Sequence, residues 1–309
     1  MEKRVLILNY EFPPLGGGGG VAARDLAMGL IEHGYKIDYV TSRFSGAKVR
    51  ENVQGISVYR VPSFRFKNLK TASYFSMLAY LIFGTVCALR LIIKNKYSFI
   101  NTHFVVPTGP LGYLVSKLGR TPNVLTMLGG DIYDPTKKRS PHKFALLRPI
   151  IKFLIDSADV VITESTEIKR NALKYYGPKS EIHIIPLPYN IKEFSKAERV
   201  DLGMEADKIY LVSVGRLVKR KGFDQLIRAM KFVKNEDIRC QIIGTGPEKD
   251  SLRDLVDRLG VRNKVKLLGY IESEEKKFQI LEKSDIYVLP SIHEGFGVVL
   301  QEACRQGCQ

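Results

Sequence analysis

Short apolar runs alternate with segments of helical period along most of this chain. Val5-Leu6-Ile7-Leu8 predicts a buried first strand. Ala23, Leu26, Ala27, Leu30 and Ile31 then recur at the three- and four-residue spacing of one helix face, and Gly34 suits the stop. A second strand is predicted at 36–41, and further strands at 56–61, 98–102, 123–127, 159–163 and 181–185. The pattern pauses at Pro186-Leu187-Pro188-Tyr189-Asn190 and the polar stretch that follows, then restarts with a strand at 209–214. A helix carrying Phe223, Leu226, Ile227 and Met230 comes next, then a strand at 239–243. Pro247 stands at a first helical position ahead of Leu252, Leu255, Val256 and Leu259, and Gly260 ends that helix. Strands at 265–268 and 286–289 follow. Strands alternating with helices predict parallel sheets covered on both faces. The expectation is α/β, two doubly wound Rossmann-like domains joined near 190–205, with bounds 1–195 and 196–309.

The chain's 309 residues, 45% hydrophobic and 26% charged, suffice for two such cores and exclude a disordered chain. Four cysteines, Cys87, Cys240, Cys304 and Cys308, are too few and too badly placed for a disulfide scaffold and fit a reducing compartment. The apolar run after Arg4 is too brief for a signal peptide core, so the chain is expected to start inside its fold, in the cytoplasm. Cys304 and Cys308, with His293, lack a recognisable zinc spacing, and no metal is expected.

Charge changes the picture. The net charge is +16, and no Asp or Glu occurs between Glu51 and Asp131, where Arg60, Arg65, Lys67, Lys70, Arg90 and Lys94 are among the cations. Such a stretch suits nucleic acid, an anionic membrane or a phosphorylated ligand. No nucleic-acid recognition motif accompanies it, so nucleic acid is not expected as a partner. Residues 74–93 carry one charge, Arg90, and are long enough to span a bilayer. Spanning would put strands of one sheet on opposite sides of a membrane. The helix is therefore expected to pack on the sheet, or to lie partly in the membrane interface beside the basic stretch. An anionic membrane surface met through 60–96 is accordingly a candidate partner, placing the chain peripherally on the inner face.

Three motifs carry candidate chemistry. The glycines 16–20 follow the first strand and open a helix, where backbone amides approach an anion or a polar substrate closely. Gly17, Gly19 and Ala22 spell a dinucleotide-type pattern, but residues 9–15 intervene and no acid ends the second strand. Gly215-Arg216-Leu217-Val218-Lys219-Arg220-Lys221-Gly222 also links a strand to a helix, placing Arg216 and Lys221 where a diphosphate could lie. Glu294-Gly295-Phe296-Gly297 precedes a helix that carries Glu302. Two carboxylates flanking an amide nest suit phosphates bracketed by hydroxyl-rich sugars, the layout of a nucleotide sugar.

With these motifs the chain resembles the retaining glycosyltransferases of family 4, of two-domain GT-B architecture. The resemblance runs over residues 1–309. It rests on the glycine loop, Gly215-Arg216 with Lys221-Gly222, Gly244-Thr245-Gly246-Pro247, and Glu294 and Glu302 in an E-x7-E arrangement. It implies transfer of a sugar from a nucleoside diphosphate to a sugar, lipid-linked or small-molecule acceptor, with retention and without a metal, in glycan, glycolipid or cell-envelope polysaccharide synthesis. Arg216, Lys221, Glu294 and His103 are then the catalytic candidates. Gly18, Gly19, Gly215, Gly244 and Gly246 are donor-binding candidates, as are Gly295, Phe296, Gly297 and Glu302. Asp131 looks like an acceptor-side residue. Two departures stand out. Leu128 in Thr126-Met127-Leu128-Gly129-Gly130-Asp131 occupies a place where family members often have histidine, and leucine cannot donate to a sugar hydroxyl. The chain also stops soon after Glu302, where the family pattern continues into a further strand and helices. The second domain is therefore expected to be incomplete, with a sheet edge and apolar helix faces uncovered and the chain unstable or inactive. The alternatives are a non-catalytic nucleotide-sugar-binding remnant and a nucleotide-dependent oxidoreductase.

Overall fold

The computed structural model describes residues 3–65, 73–137, 139–186 and 195–308; Lys67, Lys70 and most of the expected proline-rich pause lie outside them. The chain divides into two compact units, 1–190 and 191–309.

The first unit runs β1 (Arg4–Leu8), α1 (Gly18–Glu32), β2 (Lys36–Phe44), β3 (Arg50–Val53), β4 (Ile56–Arg65), α2 (Tyr74–Lys94) and β5 (Phe99–His103). It continues α3 (Gly109–Gly119), β6 (Asn123–Met127), α4 (Leu147–Asp156), β7 (Val160–Thr163), α5 (Thr166–Tyr176) and β8 (Ile182–Ile184). One eight-stranded sheet results, in the order β3-β4-β2-β1-β5-β6-β7-β8, parallel except for β3. The order explains the composition of β1, whose Val5, Leu6, Ile7 and Leu8 are all buried. Val5 and Ile7 pack with Ala23 and Ala27 of α1, while Leu6 and Leu8 pack with Tyr80 of α2 and Leu111 of α3. A central parallel strand covered on both faces needs an unbroken apolar run.

Two features of this unit depart from the sequence pattern. β3 was not expected: it is an edge strand, Arg50-Glu51-Asn52-Val53, alternately exposed and half-buried, folded back on β4 by Gln54 and Gly55, both at positive φ (52° and 88°). Arg60, counted with the surface-seeking basic stretch, is instead buried at 5% exposure. It pairs with Glu51 and lies between the rings of Phe12 and Phe44, 5.6 and 5.9 Å from their centroids. β4 alternates its faces, and position 60 falls inward, so an internal ion pair and two aromatic faces hold the charge.

The second unit runs β9 (Ile209–Val214), α6 (Phe223–Met230), β10 (Ile238–Ile243), α7 (Lys249–Arg258), β11 (Val265–Gly269), α8 (Glu274–Lys283), β12 (Ile286–Tyr287) and α9 (Val298–Arg305). Its four strands are parallel in the order β11-β10-β9-β12. α7 starts two residues beyond Pro247, which sits in the preceding turn rather than at the first helical position. β12 ends at Tyr287, two residues short of the expected strand, although the Val288 amide still donates to the Val212 carbonyl at 2.9 Å.

Two glycines hold the loops of this unit together. Gly222 has φ +65°, and a Cβ there would stand 2.0 Å from the Pro290 carbonyl oxygen. Gly244, at φ +149°, likewise has room only for hydrogen, because a Cβ would meet the Gly215 carbonyl oxygen at 1.8 Å. Gly222→Ala therefore forces both a strained backbone and a backbone clash, and is expected to destabilise the second unit by about 2–4 kcal/mol. Urea unfolding followed in wild type and variant measures it; coincident midpoints would contradict this account.

Candidate active site

In the second unit the strand order reverses between β9 and β12. β9 leads rightward in sequence to β10 on one side, while β12 returns to its other side. The loops leaving neighbouring strands at such a reversal part from each other and leave a crevice at the carboxyl ends of the strands. The loop after β9 carries Arg216 and Lys221; the loop after β12 carries Glu294, Gly295 and Phe296 and leads into α9 with Glu302. The Ile292 amide donates to the Arg220 carbonyl at 2.8 Å and so ties one loop to the other. The Leu217 amide donates to the Thr245 carbonyl at 3.1 Å, and the Glu248 amide to the Leu217 carbonyl at 3.1 Å, which seats the β9 loop on the Gly244-Thr245-Gly246 turn. A Cβ at Gly246 would meet the Leu217 carbonyl oxygen. Gly244 and Gly246, expected as donor-binding residues, thus have a packing reason of their own: they let the β10 loop press against the β9 loop.

The charges converge around this crevice. Lys221 Nζ pairs with Glu294 Oε1, and Ser291 Oγ donates to the same oxygen at 2.6 Å. Lys277 Nζ of α8 pairs with Glu302 Oε2 at 2.9 Å. Both pairs are largely sheltered from solvent, whereas Arg216 is exposed. Tyr287 sits at the end of β12 and donates to the Val214 carbonyl at 3.4 Å, immediately before Gly215. Burial, and after it the charges of Glu302 and Glu294, hold its hydroxyl well above the usual phenol range. One side chain therefore touches the root of the cationic loop and feels both carboxylates. Gly297 caps α9 at φ +75° with no side-chain hydrogen bond, directly after the loop that carries Glu294. Lys277, Ser291 and Tyr287 carry no motif; only the fold brings Lys277 and Tyr287 beside these carboxylates, while Ser291 shares the loop of Glu294.

Among the described residues no group of three or more metal-ligating side chains forms. Cys308 is buried with its thiol directed to the Leu281 carbonyl at 2.7 Å, while Cys304 is exposed.

The first unit has its own reversal, between β1 and β5. The glycine loop lies there. Glu11 Oε2 accepts from the Gly17 amide at 3.0 Å, and α1 begins at Gly18. Gly19 presses against Phe104 and Leu128, while the space beside Gly18 is open. Phe104 itself has φ +73°, a strained setting for an aromatic residue. His103 ends β5 at 1% exposure; neither ring nitrogen has a hydrogen-bond partner, and burial pushes its pKa down to about 3. Near neutral pH it is an uncharged imidazole. Asp131 is buried, with Oδ2 accepting from the Val105 amide at 2.7 Å and Oδ1 from the Leu128 amide at 3.2 Å. Burial raises it to about 6 against those amides. Its carboxyl braces the loops after β5 and β6, so the residue expected on the acceptor side faces inward. Glu164, which no motif marked, is buried at the end of β7; burial and then the Asp131 charge push it up to about 8.

The Glu164 shift makes stability depend on pH. A carboxyl whose folded pKa stands above the ordinary 4.5 binds its proton more tightly in the folded chain. The associated stability is full below about 4.5 and is lost as pH rises toward about 8. Glu164→Gln is expected to flatten that decline and to be the more stable protein at the alkaline end. Urea midpoints measured across the window check this, and an unchanged slope in the variant would refute it.

Comparison with known proteins identifies the family. The model of Glycosyltransferase Family 4 matches residues 16–193, and that of Glycosyl transferases group 1 matches residues 194–309. An uncharacterized glycosyltransferase of Methanocaldococcus jannaschii is 28% identical over 98% of this chain and 78% of its own length. N-acetyl-alpha-D-glucosaminyl L-malate synthase of Bacillus anthracis is 25% identical over 99% of this chain and 77% of its own. Among solved structures, sucrose-phosphate synthase from Thermosynechococcus elongatus superposes with a TM-score of 0.83 at 20% identity, covering 99% of this chain and 80% of that one. Anabaena HepE in complex with UDP and glucose gives 0.71 at 20% identity, covering 99% and 79%. These structural neighbours share the GT-B fold. The oxidoreductase alternative falls with the family match. Matched from residue 16 to 309 by two glycosyltransferase family models, and almost end to end by glycosyltransferase relatives, the chain is an enzyme and belongs to glycosyltransferase family 4.

Proposed function

We propose that this glycosyltransferase takes its sugar from a nucleoside diphosphate sugar and passes it, with retention at the anomeric carbon, to an acceptor hydroxyl in glycan, glycolipid or cell-envelope polysaccharide assembly. The observation that carries the reading is the convergence, within one unit, of the Arg216–Lys221 loop and the Glu294–Glu302 segment at a single strand reversal. Breaking the bond between sugar and diphosphate moves negative charge onto the leaving group and positive charge onto the sugar. Arg216 offers a planar fork to two phosphate oxygens, and Lys221 a compact charge beside it. The first turn of α9, which follows Gly295, Phe296 and Gly297, adds the partial positive charge of a helix start. Fixed donors placed where charge develops act in the transition state without reorganising. Glu302, held by Lys277, keeps an oxygen for paired ribose hydroxyls. Glu294 is held by Lys221 and Ser291 beside the transferred sugar. The Anabaena structures hold UDP, UDP-glucose, and UDP with glucose, which supports a nucleotide sugar as donor and makes uridine sugars the first to screen. Retention rests on family membership. The names of two relatives, a lipopolysaccharide core biosynthesis glycosyltransferase of Rhizobium meliloti and a teichuronic acid biosynthesis glycosyltransferase of Bacillus subtilis, support an envelope glycan as product.

Steady-state turnover of a nucleoside diphosphate sugar tests the reading. Arg216→Ala and Lys221→Ala are each expected to lower kcat by about 10²–10³-fold, the cost of one preorganised charge-stabilising donor. Glu302→Ala is expected to raise KM for the donor by about tenfold, the loss of one charge-assisted hydrogen bond. With the cations supplied by side chains, EDTA is expected to leave the initial rate unchanged. Undiminished turnover in both Arg216→Ala and Glu302→Ala would overturn the site, and a rate abolished by EDTA and restored by a divalent cation would overturn the metal-free reading.

A further inference from the structure

α2 is apolar on two sides. Ala79, Tyr80, Gly84, Ala88 and Leu91 face the sheet and α3 and are buried. Phe75, Leu78, Ile82 and Val86 recur at three- and four-residue spacing on the outer side, and all are exposed, Phe75 at 64%. A helix on the surface of a soluble fold normally carries charged or polar residues there. Only 33% of the most apolar window of α2 is buried.

The surface widens across the neighbouring helices. Leu111 of α3 packs against Gly84, and Ile92 of α2 against Gly119, so α3 lies directly beside α2 and adds Leu114 and Leu118, the latter 68% exposed. α4 lies beside α3 through Leu154 on Gly109 and the edge-to-face pair Tyr113–Phe153, whose centroids are 5.0 Å apart. It adds Ile150 and Phe153, the latter 50% exposed. At the start of α2, Phe64 stands 5.4 Å from Phe75 and 6.5 Å from Phe83, giving the surface an exposed aromatic corner. Contiguous apolar surface of this extent on a soluble unit marks an interaction site.

Charge selects the partner. Arg90 continues the outer stripe of α2 four residues after Val86, and Lys94 follows it; Lys117 and Arg120 sit at the end of α3. All four are exposed. Neither α2 nor α3 contains a carboxylate, and Asp156 at the end of α4 is taken up by Lys152 and by the amides of Lys179 and Ser180. A second copy of the chain would bring the same acid-free, cationic rim against this one, with nothing in these helices to neutralise it. A bilayer of anionic lipids supplies both complements, acyl chains for the outer stripe and phosphates for the rim. Insertion across the bilayer is ruled out by topology, because α2 connects β4 to β5 within one parallel sheet and packs on it along its inner side.

We propose that the outer face of α2, α3 and α4 is a peripheral docking surface for an anionic lipid bilayer, with Phe75, Leu78, Ile82 and Leu118 entering the interface and Arg90, Lys94, Lys117 and Arg120 meeting headgroup phosphates. The surface lies on the first unit and owes nothing to the donor-site reading, so either can fail without the other. Flotation of the 309-residue chain with phosphatidylcholine vesicles, with and without phosphatidylglycerol, tests it. Binding is expected to be at least about tenfold stronger on the anionic vesicles and to weaken with added salt. Leu78→Asp with Ile82→Asp is expected to abolish it; both positions are exposed, and circular dichroism checks that the fold is kept. Lys94→Gln with Lys117→Gln, which leaves every apolar contact in place, is expected to weaken anionic binding by about fivefold per charge. Equal, negligible binding to both vesicle types would overturn the proposal. So would anionic binding that survives the Asp pair, or a dimer in light scattering that the Asp pair dissociates while the wild type ignores vesicles.

Discussion

Where two parallel strands lead their chains away in opposite directions, the loops above them separate, and the backbone groups that end the strands and begin the helices stay without partners of their own. At the β9/β12 reversal this constraint is met by pressing one loop onto the other. The Pro290 carbonyl sits over Gly222, the Ile292 amide reaches the Arg220 carbonyl, and the Gly244 backbone leans on Gly215. Each contact is backbone to backbone, so the positions of Arg216, Lys221 and Glu294 depend little on side-chain choice. The Lys221–Glu294 pair then sits on a fixed floor, with Ser291 donating to the same carboxyl. Rigid placement is what a charge-stabilising site requires, because a donor that must move to meet developing charge has already lost part of its effect.

The first unit repeats the topology but not the electrostatics. Its reversal at β1/β5 carries the glycine loop, a strained Phe104, a buried neutral His103 and the buried carboxyls of Asp131 and Glu164. Asp131 is fixed by two amides and ties adjacent loops together, whereas the second unit exposes or pairs its charges. Burial without a cationic partner raises both carboxyls toward neutrality, and Glu164 most. Leu128, at the position where the family often has histidine, packs against Gly19 and closes part of the space above the glycine loop with methyl groups. The two reversals are thus chemically distinct: one pairs its cations with carboxylates, the other buries His103, Asp131 and Glu164 without a cationic partner.

The inner face of α2 follows from the same sheet order. The connection from β4 to β5 must pass beneath β2 and β1, and 21 residues at about 1.5 Å each make a helix of about 31 Å. A helix lying on the sheet needs one apolar side. The second apolar side has no structural use in the unit, and its continuation over α3 and α4 makes it a surface of the fold rather than an accident of one helix.

The sequence by itself determined the alternation of strands and helices, the central burial of β1, and the family, because apolar periodicity and the spacing of Arg216, Lys221, Glu294 and Glu302 are local properties. It also marked α2 as unusually apolar. It did not reveal β3, since a polar edge strand lacks an apolar rhythm, and it misplaced Arg60, whose direction depends on which face of β4 meets the core. Lys277, Tyr287 and Glu164 were invisible because their partners lie far away in the chain, and Ser291, three residues before Glu294, because no motif includes it. The roles of Gly244 and Gly246 as close-packing sites, the inward setting of His103 and Asp131, and the continuity of the apolar face over three helices were decided only by tertiary structure. Burial, close approach and shared surface are relations between segments, and no segment carries them alone.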